Sequence, residues 1–187
     1  SMINTSFTYK TPGFDAVKDF EPISLVSQQE TILSVTPNLP IKSVRDLIAL
    51  SKAKPNSLNM ASAGTGSGSH LSGEAFKAMA GVNLVHVPYR GNGPATSDLL
   101  SGQVQLQFSS PPSCIELVRA DKLRALGVTT AIRSELLPEV PAIGEIVHGY
   151  EMSAWYGAAA PKGTPVEVIE KLNSEINAGL ADLKMKS

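Results

Sequence analysis

The stretch "LNMASAGTGSGSHLSGEAFKAMAGVNLVHVPY", residues 58–89, decides the fold. It holds an apolar run of strand length, a loop of glycine and small hydroxyl residues, a helical pattern, and a second β-type run. "LNMAS" (58–62) and "LVHVPY" (84–89) read as strands, and residues near 69–80 repeat at helical spacing. A strand, a helix and a strand in that order make a right-handed crossover between parallel strands. The alternation continues through a helix near 94–101, strand "VQLQF" (104–108), a short helix near 112–120 and strand "LRALGV" (123–128). The expectation is an α/β protein with a mostly parallel sheet and flanking helices.

Outward from this block the signals are more local. Upstream, "PISLVS" (22–27) and "TILSVT" (31–36) are β-type runs parted by the polar "QQE". Helix "SVRDLIALSKAK" follows, with Ser43 as N-cap and Asp46 three residues on. Val44, Leu47, Ile48 and Ser51 share its inner face, and Pro55 stops it. Downstream, "SELLPEVPAIGEI" (134–146) reads as a proline-punctuated loop with a short helix, and "YEMSAWYGAAAP" (150–161) as extended chain. A last helix opens with Thr164 as cap, Pro165 at its first position and Glu167 at its third, and carries the stripe Ile169, Leu172, Ile176 and Leu180. The first 21 residues read as loop. The regular α/β block is the middle of the chain, roughly 37–149, and the ends look like pieces of a second unit.

Composition narrows the function. The chain has 187 residues, a formal net charge of −1 and 42% hydrophobic residues, enough for a core and too little positive charge to favour a nucleic-acid partner. Cys114 is the lone cysteine, so neither an internal disulfide nor a cysteine-based zinc site is available. His70, His86 and His148 lack the spacing of a metal-binding helix, and no metal or cofactor is expected. No apolar run reaches the ~18–20 residues of a membrane span. "SMINTSFTYK" lacks the pattern of a signal peptide. Ser1 before Met2 reads as a cloning remnant, and the chain as part of a longer one.

The loop "AGTGSGS" (63–69) falls where a parallel strand ends and a helix begins, the usual ligand position of such sheets. Glycine lets backbone approach a ligand closely, and free N–H groups at a helix start suit an anion. Ala63, Gly64, Thr65, Gly66 and Ser67 are the candidate cradle, with Thr65, Ser67 and Ser69 adding hydroxyls. No lysine follows as a phosphate-binding loop requires, the glycine spacing misses the dinucleotide pattern, and Thr65 breaks a nucleophile elbow. The plainer reading is a glycine turn with a capping serine. His70 is available as a base toward Ser67 or Ser69, with no obvious carboxylate to orient it. A second glycine loop, "VPYRGNGPA" (87–95), offers Tyr89, Arg90 and the backbone of Gly91 and Gly93, although Arg90 also reads as a solvated surface charge. A third strand ends in "FSSPPS", with Ser109 and Ser110. Three polar loops at successive strand ends point to a small-molecule site built from donors. Trp155 and Tyr156 read either as core or interlobe packing or as a cleft wall, and Cys114 as packing.

Beside these readings, "FDAVKDFEPISLV", "LPIKSVRDLIALSKAKP", the run from "LNMASAGTGSGSHL" through "HVPYRGNGPATSDLLSGQVQLQF", and "KLRALGVTTAIRSELLPEVPAIGE" closely resemble the Bug family, the periplasmic solute-binding receptors of tripartite tricarboxylate transporters. The resemblance covers the chain from residue 14 on. It implies a periplasmic-binding-protein-like, Venus-flytrap fold, with one lobe complete at 31–150 and the other present as remnants, 1–30 and a crossover strand and helix at 151–187. It implies a small carboxylate ligand (a dicarboxylate, tricarboxylate, acidic amino acid or aromatic acid), a periplasmic location and delivery to membrane transporter subunits. Carried over by motif, the resemblance implies that residues 63–67, the Tyr89–Arg90–Gly91 loop and the strand end at 108–110, with Ser109 and Ser110, hold a carboxylate; His70 and Trp155 are further candidate ligand contacts. Two departures stand out. The N-terminal segment that supplies the first lobe's contacts in the family is missing, so the chain is expected to be truncated, to bind weakly or not at all alone, and to dimerise or swap through exposed lobe-one remnants. In addition, Ser109 stands where many relatives carry an acidic residue after the phenylalanine.

Overall fold

The computed structural model describes residues 13–182. In chain order the elements are β1 (Phe20–Gln29), β2 (Ile32–Val35), α1 (Val44–Ala53), β3 (Asn59–Ser62), α2 (Gly68–Ala80), β4 (Val85–Pro88), α3 (Asn92–Ser101), β5 (Leu106–Ser109), α4 (Pro111–Arg119), β6 (Arg124–Val128), a 3-10 turn at Ile143–Glu145, β7 (Ala154–Pro161) and α5 (Val166–Ala181). They divide into two units. One is Gln29–Ala154, and the other holds the described residues up to Gln28 and from Trp155.

The larger unit is a five-stranded sheet in the order β4-β3-β5-β2-β6. β3 runs parallel to β4 and β5, as the helical crossovers require. β2 is antiparallel to both β5 and β6, so four strands share one direction and β2 runs against them. The mostly parallel sheet expected from the alternation thus holds with one reversal. Its cause lies in connectivity, because the neighbours of β2 come from much later in the chain and no single crossover fixes their relative direction.

Alternate residues of each strand face opposite sides of the sheet, and the core accordingly lies in two layers. Leu33, Val35, Met60, Leu106 and Phe108 pack with Leu47 of α1, Phe76 of α2 and Tyr150. Ile32, Ala61 and Val128 pack with Leu99 of α3 and Cys114 of α4. Tyr150 is 1% exposed and donates its hydroxyl to the Ser72 carbonyl at 2.9 Å, so the one polar atom of a large buried ring is satisfied. On α2, Gly73 lies directly against the thioether end of Met60, which would have to move to admit a Cβ.

Helix ends follow capping chemistry. At α1, Ser43 Oγ accepts the Asp46 N–H at 3.1 Å, and Asp46 Oδ2 accepts the Lys42 N–H at 3.0 Å. At α5 the sequence places the cap one residue too early. Pro165 is the cap, and the Thr164 hydroxyl donates instead to the Pro161 carbonyl at 2.7 Å, closing the preceding turn.

In the smaller unit β1 pairs with β7, and β1 runs through Gln28 and Gln29, which the sequence reads as a link. The Asn173 amide of α5 donates to the Ile23 carbonyl of β1, and Lys162 pairs with Glu21 at 2.8 Å. Most of the expected loop before residue 22 lies outside the described residues, although β1 already begins at Phe20.

Candidate functional site

Because β4, β3 and β5 are adjacent and parallel, their C-terminal ends meet at one edge of the sheet. Each leads at once into a helix, so α3, α2 and α4 all begin there. A helix start carries unsatisfied N–H groups and about half a positive charge. The fold therefore gathers three such ends along one edge, the anion-binding geometry that a single glycine loop only suggests.

The loop after β3 is built largely by its own hydrogen bonds. Gly64 and Gly66 take φ of +127° and +77°, backbone that a side chain disfavours. Ser62 Oγ accepts the Gly64 N–H at 3.2 Å, Ser69 Oγ accepts the Ala63 N–H at 2.9 Å, and the Gly64 carbonyl accepts the Ser67 N–H at 3.1 Å. Ser67 is the N-cap of α2. Its hydroxyl accepts the His70 N–H at 3.3 Å and donates to the Gly64 carbonyl at 2.6 Å. Ser67 and Ser69 therefore shape the loop, and Thr65 is its exposed hydroxyl. Among the described residues, the N–H groups of Thr65, Gly68 and Ser69 are left without an acceptor, a set the sequence had not distinguished from the rest.

The second loop touches the first. Tyr89 N–H donates to the Ser62 carbonyl at 3.0 Å, and a Cβ on Gly64 would meet the Tyr89 carbonyl at 3.2 Å. The Tyr89 hydroxyl is turned to the protein, donating to Asp98 Oδ2 at 2.6 Å. That bond, aided by burial, pushes the phenol up to about 12. Gly91, with φ of +116°, caps α3. Arg90 beside it is exposed.

The third loop differs. Ser110 caps α4, but Pro111 and Pro112 occupy the first positions and bring no N–H. What this end offers is hydroxyl and amide chemistry. Asn92 Nδ2 lies 3.4 Å from both Ser110 Oγ and Ser113 Oγ, tying the starts of α3 and α4 together. Ser109 is buried with its Oγ unpartnered among the described residues. Burial also pushes the Cys114 thiol up, in keeping with a packing role.

His70 and His86 stack, with ring centroids 4.0 Å apart and planes at 24°. His70 Nδ1 accepts the Gly66 N–H at 3.1 Å, and Nε2 faces Glu74 at 3.7 Å. The carboxylate missing from the sequence reading is thus Glu74, one helical turn on. Among the described residues neither the Ser67 nor the Ser69 hydroxyl meets the His70 ring, so no serine–histidine pair is assembled. His86 was not singled out in the sequence. Its Nε2 lies 2.6 Å from Ser62 Oγ. Trp155 and Tyr156 belong to the smaller unit and are 54% and 55% exposed, so neither is core.

Comparison with known proteins follows the same lines. The description "Tripartite tricarboxylate transporter family receptor" matches residues 1–183. A protein encoded in the tcbD-tcbE intergenic region of Pseudomonas sp. (strain P51) is 40% identical over 182 residues, covering 96% of this chain and 54% of its own length. Rpa4515 of R. palustris, solved with adipate, superposes with a TM-score of 0.88 at 39% identity over 95% of this chain and 60% of its own. The periplasmic binding protein BugD superposes at 0.90 and 34% identity over 99% of this chain and 62% of its own. MatC of Rhodopseudomonas palustris, solved with bound malate, superposes at 0.88 and 26% identity over 99% of this chain and 63% of its own. The chain spans about half the length of the curated relatives it matches. The α/β fold expected from the resemblance is the one these structures share.

Proposed function

The chain belongs to the tripartite tricarboxylate transporter receptor family, and on that premise we propose that its larger unit grips one carboxylate of a small dicarboxylate in a non-catalytic, periplasmic receptor. The observation that carries this reading is the pair of neighbouring helix starts, α2 and α3, at one sheet edge. Between them the loop has spent most of its own donors and leaves those of Thr65, Gly68 and Ser69. A carboxylate accepts several N–H bonds at once, and a helix start adds favourable field. The adipate and malate held by two structural neighbours support a dicarboxylate over a single acid group. Tricarboxylates, acidic amino acids and aromatic acids remain within the same chemistry. The receptor then hands its ligand to the membrane subunits of a tripartite tricarboxylate transporter.

The test is the thermal midpoint of this chain with adipate, malate, citrate and acetate up to tens of millimolar. A ligand that binds only the folded state raises the midpoint with concentration. The expected result is a dose-dependent rise with a dicarboxylate and little with acetate. Affinity weaker than micromolar is expected, since the chain covers only 60% of the adipate-bound neighbour's length. A flat midpoint with every acid, joined by flat calorimetric titrations, would overturn the reading.

A further inference from the structure

We infer that the stacked pair His70 and His86 is an acid-sensitive brace that holds the glycine loop in its anion-binding shape. The two imidazoles grip the loop at different points. His70 Nδ1 takes the Gly66 N–H at 3.1 Å. His86 Nε2 meets Ser62 Oγ at 2.6 Å, and that hydroxyl in turn accepts the Gly64 N–H at 3.2 Å and reaches the Gly64 carbonyl at 3.3 Å. Both glycines with positive φ in this loop therefore depend on an imidazole, one directly and one through a serine.

The grip by His70 requires a neutral ring, because a protonated Nδ1 is a donor and cannot accept the Gly66 N–H. Stacking at 4.0 Å opposes charge on both rings at once. The charged groups facing the pair are Glu74 and Lys77, both on α2, and the facing polar group on β3 is Ser62. Glu74 is already engaged by Lys77 at 2.8 Å, which limits what it can offer a protonated His70. Burial, reinforced by His70, pulls His86 below the ordinary histidine value. Such a group binds fewer protons in the folded state, so acid weakens the fold as pH falls below the unfolded value of about 6.5.

The consequence is opposite in sign to simple electrostatics. Two histidines beside an anion site would ordinarily tighten binding as they gain charge. A brace loosens it, because protonation dismantles the loop before the charge can help. This consequence rests on the carboxylate reading above, but the brace itself does not.

The test begins without ligand, by NMR of the intact chain between about pH 8 and about pH 5, bracketing ordinary histidine titration. The Gly64 and Gly66 amide signals are expected to shift with the same midpoints as the ring protons of His86 and His70. In His86→Gln, which keeps a polar contact for Ser62 but cannot titrate, the Gly64 response should vanish while the Gly66 response stays. Imidazoles that titrate while both glycine amides hold still would overturn the brace. Adipate affinity, measured from about pH 8 to about pH 5.5 and corrected for protonation of adipate itself, is expected to fall several-fold once the pH drops below about 6.5. A rise toward acid would overturn the brace even if the carboxylate reading survives. Absence of adipate binding at every pH would count against the carboxylate reading, and the glycine amides would still decide the brace.

Discussion

Gly64 is the residue on which the candidate site turns. Its φ of +127° is open to glycine almost alone, and a Cβ there would stand 3.2 Å from the Tyr89 carbonyl. Gly64→Ala is expected to cost about 1–3 kcal/mol of stability by urea titration and to abolish any dicarboxylate-induced rise in the thermal midpoint. Tyr89 makes the contrasting prediction. Its hydroxyl is spent on Asp98 and its backbone on the first loop. Tyr89→Phe should therefore lower stability by about 1–2 kcal/mol, by leaving the Asp98 carboxylate without its donor, and change dicarboxylate affinity little. A large loss of affinity at unchanged stability would instead place that hydroxyl on the ligand. The identity of the glycine loop was legible from residue types alone. Which of its N–H groups stay available was not, since that depends on where Ser62, Ser69 and His70 aim their acceptors.

At the scale of elements, the tightest constraint is between α2 and β3. A methyl group on Gly73 would collide with the thioether end of the fully buried Met60, which must shift within a filled core to admit it. Gly73→Ala should destabilise by about 1–3 kcal/mol in denaturant unfolding, despite alanine's better helix propensity, because overpacking outweighs it. A gain in stability would show that α2 can shift on the sheet. Helices and strands of the larger unit were readable within a few residues, because period 2 and period 3.6 alternate there with glycine and proline between them. The reversed β2 was not readable. All four of its residues are buried, and a strand covered on both faces carries no mark of direction. His86 escaped notice for a related reason. Its role arises from cross-strand placement beside Ser62 and from the His70 ring on α2, neither of which is a sequence neighbour. The paired prolines that open α4 cost it N–H donors, which emerges only when the three helix starts are compared.

At the scale of the molecule, the two units differ in how they bury apolar residues. The larger one has a two-layer core, whereas α5 in the smaller one has no buried residue. Val17, Leu25, Val166 and Leu172 are 82%, 55%, 65% and 41% exposed. Apolar exposure on this scale favours association. Sedimentation of the isolated chain is expected to show concentration-dependent self-association, weakened by Leu172→Lys. A strictly monomeric chain at high concentration would rule that out. The position of β2 bears on how the chain reaches its native state. Its partners are Leu106–Ser109 on one side and Arg124–Val128 on the other, both emerging long after it during synthesis. Ile32, Leu33 and Val35 must therefore wait, unpaired and sticky, while the local β3-α2-β4 crossover is free to form. The sheet is completed only when β6 arrives, which makes the folding barrier one of long-range closure and leaves β2 as the segment most in need of a holding chaperone until then.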